Sequence, residues 1–245
     1  AAFIRLYEDG RPAVTPVHFR WNASRPVEGT PVFVSGNPGA TQRLLTLSQL
    51  ETVRDVVLPF DQLTASELRG RLIRFSGESA ENAFIALSPI SGVENTYKRA
   101  RGRMAALIDV EFMAAKRAAE ADFRARVAAD PALAARIGDP WAELEALQPV
   151  QRELYPAHAM LNANAGGGAL LYGWARTLVR GAQERAKPSA ERLPEFADSR
   201  LRAVESGLFA ERPVYPGLNV AQIEWWLAKT REWLTVDSPY VRTLL

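Results

Sequence analysis

Residues 31–50, PVFVSGNPGATQRLLTLSQL, change period partway along, and that change decides the fold. Pro31-Val32-Phe33-Val34-Ser35-Gly36 is a short run of branched and aromatic residues that reads as a strand. The turn residues Asn37-Pro38-Gly39 close it. From about Thr41 the apolar residues recur at steps of three and four, which is a helical period. Upstream, Ala2-Phe3-Ile4-Arg5-Leu6-Tyr7 is another apolar run, ended by Glu8-Asp9-Gly10-Arg11-Pro12, and Val17 to Trp21 alternates well enough for a further strand. A three-strand set this small has unprotected edges and is hard to stabilise by itself, so it reads as part of a larger sheet.

Downstream the helical stripes continue. Leu68, Leu72 and Phe75 share a face from which Arg69, Arg71 and Arg74 point away. Ile108, Phe112, Ala115, Ala119, Phe123 and Val127 form a second stripe, Leu170, Trp174 and Leu178 a third, and Val220, Ile223, Leu227 and Leu234 a fourth. Breakers fall among them at Pro59, Pro89, Asp130-Pro131, Gly138-Asp139-Pro140, Gly166-Gly167-Gly168, Lys187-Pro188 and Pro213 to Gly217. Asp139 before Pro140 reads as an N-cap followed by a first-turn proline, while Pro149 and Pro156 are expected to kink the helix they occupy.

Bulk properties exclude several classes. The formal net charge is only +2, and basic residues are interleaved with acids, as in KRAAEADFRAR at 116–126, which argues against a nucleic-acid surface. No apolar run approaches the roughly 20 residues of a membrane-spanning helix, so no membrane partner is expected. The start shows no basic region followed by an apolar stretch, so no signal peptide is read there. Cysteine is absent, which removes disulfides, thiol nucleophiles and the usual structural zinc sites.

The residues that could carry chemistry are few. The sequence has two histidines, His18 and His158, without a companion at metal-ligand spacing and without a serine motif of the GxSxG kind. Surface or hydrogen-bonded histidines are the plainer account. Nothing marks Ser35 as a nucleophile. The turn at Gly36 to Thr41 lacks the Lys-Ser/Thr ending of a phosphate loop, and a tight turn explains it. Gly166-Gly167-Gly168 reads as a flexible connection between helices, with an anion-binding nest as the alternative. Trp225, Trp226 and Trp233 fit packing better than a binding platform. Acid pairs such as Glu120 with Asp122, or Glu143 with Glu145, lie two apart and diverge on a helix. No cofactor and no metal is expected. Asn95, in Gly92-Val93-Glu94-Asn95-Thr96-Tyr97-Lys98, is a mediocre residue for a helix interior. Its amide oxygen could accept a hydrogen bond from an ammonium group, with adjacent Glu94 adding negative charge.

Three stretches taken together carry a resemblance. AFIRLYEDGRPAVTP at 2–16, VFVSGNPGATQRLLTLSQLE at 32–51 and SGVENTYKRARGRMAAL at 91–107, in this order and spacing, resemble the bacterial dipeptidyl peptidases, chymotrypsin-like serine exopeptidases with an inserted helical domain. The resemblance implies hydrolysis of peptide substrates, with release of dipeptides from their N-termini. It implies a parent protein with a double β-barrel and a Ser-His-Asp triad, of which this chain is an internal fragment that holds no triad member and is inactive alone. It also implies that Asn95 binds the substrate α-amino group. A periplasmic or secreted address, and a homodimer of the full-length protein, follow from the resemblance only.

The resulting expectation is an α+β fold, predominantly α-helical. Residues 1–40 are read as a strand portion of the second catalytic barrel, and residues 41–245 as the helical regulatory domain that caps the substrate cleft. The competing readings are a free-standing helical binding or regulatory module, and an inactive pseudo-peptidase.

Overall fold

The structure, a computed structural model, describes residues 4–20, 22–33 and 42–244. It divides into two units, Ala1–Gln42 and Arg43–Leu245. The fold is α+β and predominantly helical, with a small two-stranded sheet.

In the first unit, β1 (Tyr7–Glu8) pairs antiparallel with β2 (Arg11–Pro12), Tyr7 opposite Pro12 and Glu8 opposite Arg11. Asp9 and Gly10, both at positive φ, make the turn. A two-residue Asp-Gly loop with positive φ at both positions matches the right-handed twist of the strands it joins. The ladder is shorter than the sequence suggests. Of the first expected strand only Tyr7 is paired, with Ala2 and Phe3 outside the described residues. Val17 to Arg20 and Pro31 to Phe33 lie in no strand, and Trp21 and Val34 to Thr41 are likewise outside the description. An extended segment becomes a strand only when a neighbour takes its backbone hydrogen bonds, and these segments have none among the described residues.

The second unit begins with a reciprocal cap. The Gln49 N–H donates to Thr46 Oγ1 at 3.4 Å, and the Thr46 N–H to Gln49 Oε1 at 3.0 Å. This starts α1 (Leu47–Thr52), which runs through a π turn at Val53–Val57 into α2 (Leu58–Ser76). Pro59 is therefore no breaker. It stands in the first turn of α2, where its missing N–H costs least. After three residues the chain returns as α3 (Ala80–Leu107), packed along α2. Pro89 lies inside α3 without ending it, leaving the Ile85 carbonyl without its helical donor.

α4 (Val110–Ala128), α5 (Pro131–Ile137) and α6 (Pro140–His158) follow. Asp130 caps α5 through the Ala132 and Leu133 N–H groups at 3.0 Å, and Asp139 caps α6 through Ala142 N–H at 3.0 Å. Pro149 and Pro156 lie within α6, which passes into a π turn at Ala159–Ala163. A short 3₁₀ turn, Ala165–Gly168, leads to α7 (Leu170–Arg185), and then come α8 (Asp198–Phe209), α9 (Pro216–Leu234) and α10 (Pro239–Leu244).

Three apolar clusters hold the unit. Leu50, Val53 and Leu58 meet Ala100, Leu107 and Met113. Phe60 meets Ala159, Met160, Trp225 and Trp226, and Leu72 and Phe75 meet Ala86 and Leu218. The expected α2 stripe is therefore core. Of the expected α4 stripe Val127 alone is buried, while Ile108, Phe112 and Phe123 are exposed and Met113, outside the stripe, is core. On the same side as Met113 and Val127, the Glu120 carboxylate accepts the Leu47 N–H of α1 at 2.6 Å.

α9 binds to its surroundings with polar as well as apolar contacts. Trp226 Nε1–H donates to the Met160 carbonyl at 2.6 Å. Lys229, buried, pairs with Glu67 of α2 and with Glu232. Burial works against its charge, but the two carboxylates outweigh burial and hold its pKa above the ordinary lysine value. Asn219 Oδ1 accepts the Leu171 N–H at 3.0 Å, which satisfies one of the unpaired donors at the start of α7.

Candidate functional site

A cleft runs between α2 and α3 on one side and the π turn, the glycine turn and α9 on the other. It holds two adjoining cavities that share Leu68, Gly92, Val93, Ala163, Asn164 and Trp225 as walls. One, of about 400 Å³, adds Asp61, Thr96, Arg99, Tyr155 and His158. The other, of about 460 Å³, adds Leu72, Ser88, Pro89, Gly168 and Gln222.

α3 supplies the near wall. At about 100° per residue, Ser88, Gly92, Thr96 and Arg99 fall on one strip of the helix, and Asn95 lies roughly 60° around from Gly92. Asn95 is exposed and lines neither cavity, and its amide makes no hydrogen bond among the described residues. It is thus free to accept one. Glu94 is differently placed from the sequence expectation. Its Oε1 accepts from Arg69 Nε of α2 at 2.9 Å, so its charge is already countered.

The carboxylate that does enter the cleft is Asp61, in the first turn of α2. Tyr155 Oη–H donates to its Oδ1 at 2.9 Å. Burial lifts the Asp61 pKa above the usual aspartate value, against the Tyr155 bond and the charges of Arg99 and Arg103. Burial and then the Asp61 charge raise the Tyr155 phenol, and burial followed by the Arg99 charge lowers Arg103. A desolvated carboxylate with named charged neighbours in a cleft is the kind of group that marks functional sites. Sequence reading missed it, because Asp61 and Tyr155 stand 94 residues apart.

The other singled-out residues resolve as structure. His18 Nδ1 bonds the Thr15 carbonyl at 2.9 Å, and His158 Nε2 pairs with Asn162 Nδ2 at 3.2 Å. Neither contacts a carboxylate or a serine hydroxyl among the described residues. Ser35 and the turn at Gly36 to Thr41 lie outside the description. Trp225 and Trp226 are buried core residues, and Trp233 stacks at 4.7 Å from Phe60. Glu120 pairs with Arg124 at 2.6 Å and Asp122 with Arg126 at 3.1 Å, so these acids do not act as a couple.

The glycine triplet corrects the expectation of a flexible link. Gly166, Gly167 and Gly168 all have positive φ, and the first two are buried. A Cβ at Gly166 would strike the Tyr172 ring, and one at Gly167 the Gln222 carbonyl oxygen. Only glycine admits both the left-handed backbone and so close an approach of α9. This turn is a packed joint.

Among the described residues no group of three or more His, Cys, Asp or Glu gathers as for a metal, and no helix is long and apolar enough to cross a membrane. The sequence matches the profile described as Peptidase S46 over residues 1–245, and the chain belongs to that family, which relates it to the bacterial dipeptidyl peptidases and gives it peptide substrates. No single curated protein matches the chain in sequence.

Proposed function

We propose that this chain supplies the helical domain that caps the substrate cleft of a serine dipeptidyl peptidase, and that Asn95 holds the free α-amino group of the peptide. The observation that carries the reading is the exposed, unpaired Asn95 amide on α3, a helix that contributes Gly92 and Val93 to both cavities. An ammonium bonded to this oxygen makes a charge-assisted hydrogen bond worth about 1.5–3 kcal/mol, and a blocked terminus forfeits it. Fixing the amine a set distance from the cleavage point measures off a dipeptide.

The first unit supports the same reading. Ile4, Phe19 and Phe33 are 86%, 95% and 98% exposed, as expected of strands that belong to a larger sheet such as a catalytic barrel. Nucleophile, base and acid would then come from other parts of the protein. Its address would be the periplasm or the exterior, and its full-length form a homodimer. By itself the chain is expected to release no dipeptide from chromogenic dipeptidyl substrates; turnover comparable to an intact peptidase would defeat that expectation.

The decisive test is Asn95→Ala in the complete, active enzyme. KM should rise and kcat/KM should fall by about tenfold or more, the loss of one charged hydrogen bond. Kinetics indistinguishable from the unsubstituted enzyme would remove Asn95 from the site.

A further inference from the structure

We propose that the cavity in front of Gln222 is a subsite for the backbone N–H and C=O of one extended peptide residue with an aliphatic or aromatic side chain. Gln222 lies on α9 and is 7% exposed. Its side chain lines the cavity of about 460 Å³ and makes no hydrogen bond among the described residues. A carboxamide kept unpaired in a protein interior costs about 1–3 kcal/mol, and an apolar side chain of the same size would pack there without that cost. The amide is not sealed in, unlike the Gln148 oxygen, which is fully buried without a partner.

The surroundings keep this amide clear. A Cβ at Gly168 would stand 3.3 Å from Gln222 Nε2, so glycine leaves the edge of the amide open. Apart from Ser88 and Asn164 and small residues, the remaining wall is apolar, from Leu68, Leu72, Pro89, Val93 and the indole of Trp225. No residue lining this cavity is charged, so an ammonium, carboxylate or phosphate finds no counter-charge in it. A buried, unpaired amide that both donates and accepts, set beside this apolar surface, complements the backbone of one peptide residue. In an extended peptide the N–H and C=O of one residue point the same way, so that residue's carbonyl accepts from Nε2, its N–H donates to Oε1, and its side chain lies against Leu68, Leu72 and Trp225. The proposal rests on the peptide-binding reading for its ligand class, and does not depend on the role given to Asn95.

The test uses the 245-residue chain and N-acetyl-leucine N-methylamide, a neutral compound with no free amine for Asn95 to hold. Titration followed by proton–nitrogen NMR should give saturable shifts at the Gln222 side-chain amide and at Gly167 and Gly168. Gln222→Leu removes the unpaired amide while keeping the volume, so the variant should melt no lower and bind the compound about three- to tenfold more weakly. The analogue methylated on the leucine nitrogen, which has no N–H there, should bind the unsubstituted chain more weakly by a similar factor, an answer that stands even where the variant fails to fold. Absence of shifts at these groups, or equal affinities across both compounds and both proteins, overturns the subsite. Blocked-compound binding combined with unchanged Asn95→Ala kinetics sinks only the amine reading.

Discussion

The apolar side chains of the two units lie in opposite circumstances. In the helical unit Leu58 and Leu72 are wholly buried in clusters made within the unit. In residues 4–33, Ile4, Phe19 and Phe33 have similar hydrophobicity and almost no cover. The same composition thus serves two purposes. A helix completes its backbone hydrogen bonds internally and needs only a neighbour for one face, whereas a strand needs neighbours for its edges as well. The lesson is that apolar pattern alone predicts burial only where the elements can find each other within the chain.

Substitutions can sharpen or break this contrast. The largest effect should come from the helical unit at Gly167→Ala. The left-handed backbone and the collision with the Gln222 carbonyl should together cost about 3 kcal/mol or more, read as a lower melting midpoint of the chain. A midpoint close to the unsubstituted one would mean that the glycine turn is not the packed joint described.

A smaller effect of opposite sign is expected at Asp61→Asn. Burial raises the Asp61 pKa, so the folded chain holds its proton more tightly than the unfolded chain does. Stability is therefore lost as pH rises from the unfolded value of about 3.9 through the folded one. The asparagine variant should melt higher than the parent at pH 7, and the difference should close as pH falls to that lower value. A variant that melts lower at pH 7 would show that the Tyr155 bond and the arginines outweigh burial.

The smallest effect belongs to the first unit. Phe19→Ser should shift the stability of this chain by less than about 0.5 kcal/mol, because its ring covers nothing. A large loss would place Phe19 in a core and erase the contrast between the units.

Legibility in the sequence followed the range of the interactions. The cap at Asp139 was readable because donor and acceptor lie within three residues of each other. The α2 stripe was readable because one long neighbour, α3, covers one face. The α4 stripe misled because the partners of its inner side, Leu50 and Val53 around Met113 and the Leu47 N–H at Glu120, come from 60 or more residues away. In α9 the expected face of Val220, Ile223 and Leu227 gave way to a buried set that includes Asn219, Gln222, Lys229 and Thr230. Polar residues are buried there because their partners, or the cavity they face, come from distant segments, and periodicity carries no signal of that kind. Asn95 was singled out through its motif, while Asp61 and Gln222, which do line the cleft, had no local mark.

The bond from the Trp226 indole to the Met160 carbonyl joins segments 66 residues apart, one a regular helix and the other a π turn. Neither segment can slide against the other by a fraction of a turn without leaving a donor and an acceptor unpaired. The far side of the cleft is therefore a single stiff wall, built from two distant stretches of the chain that hold one common position.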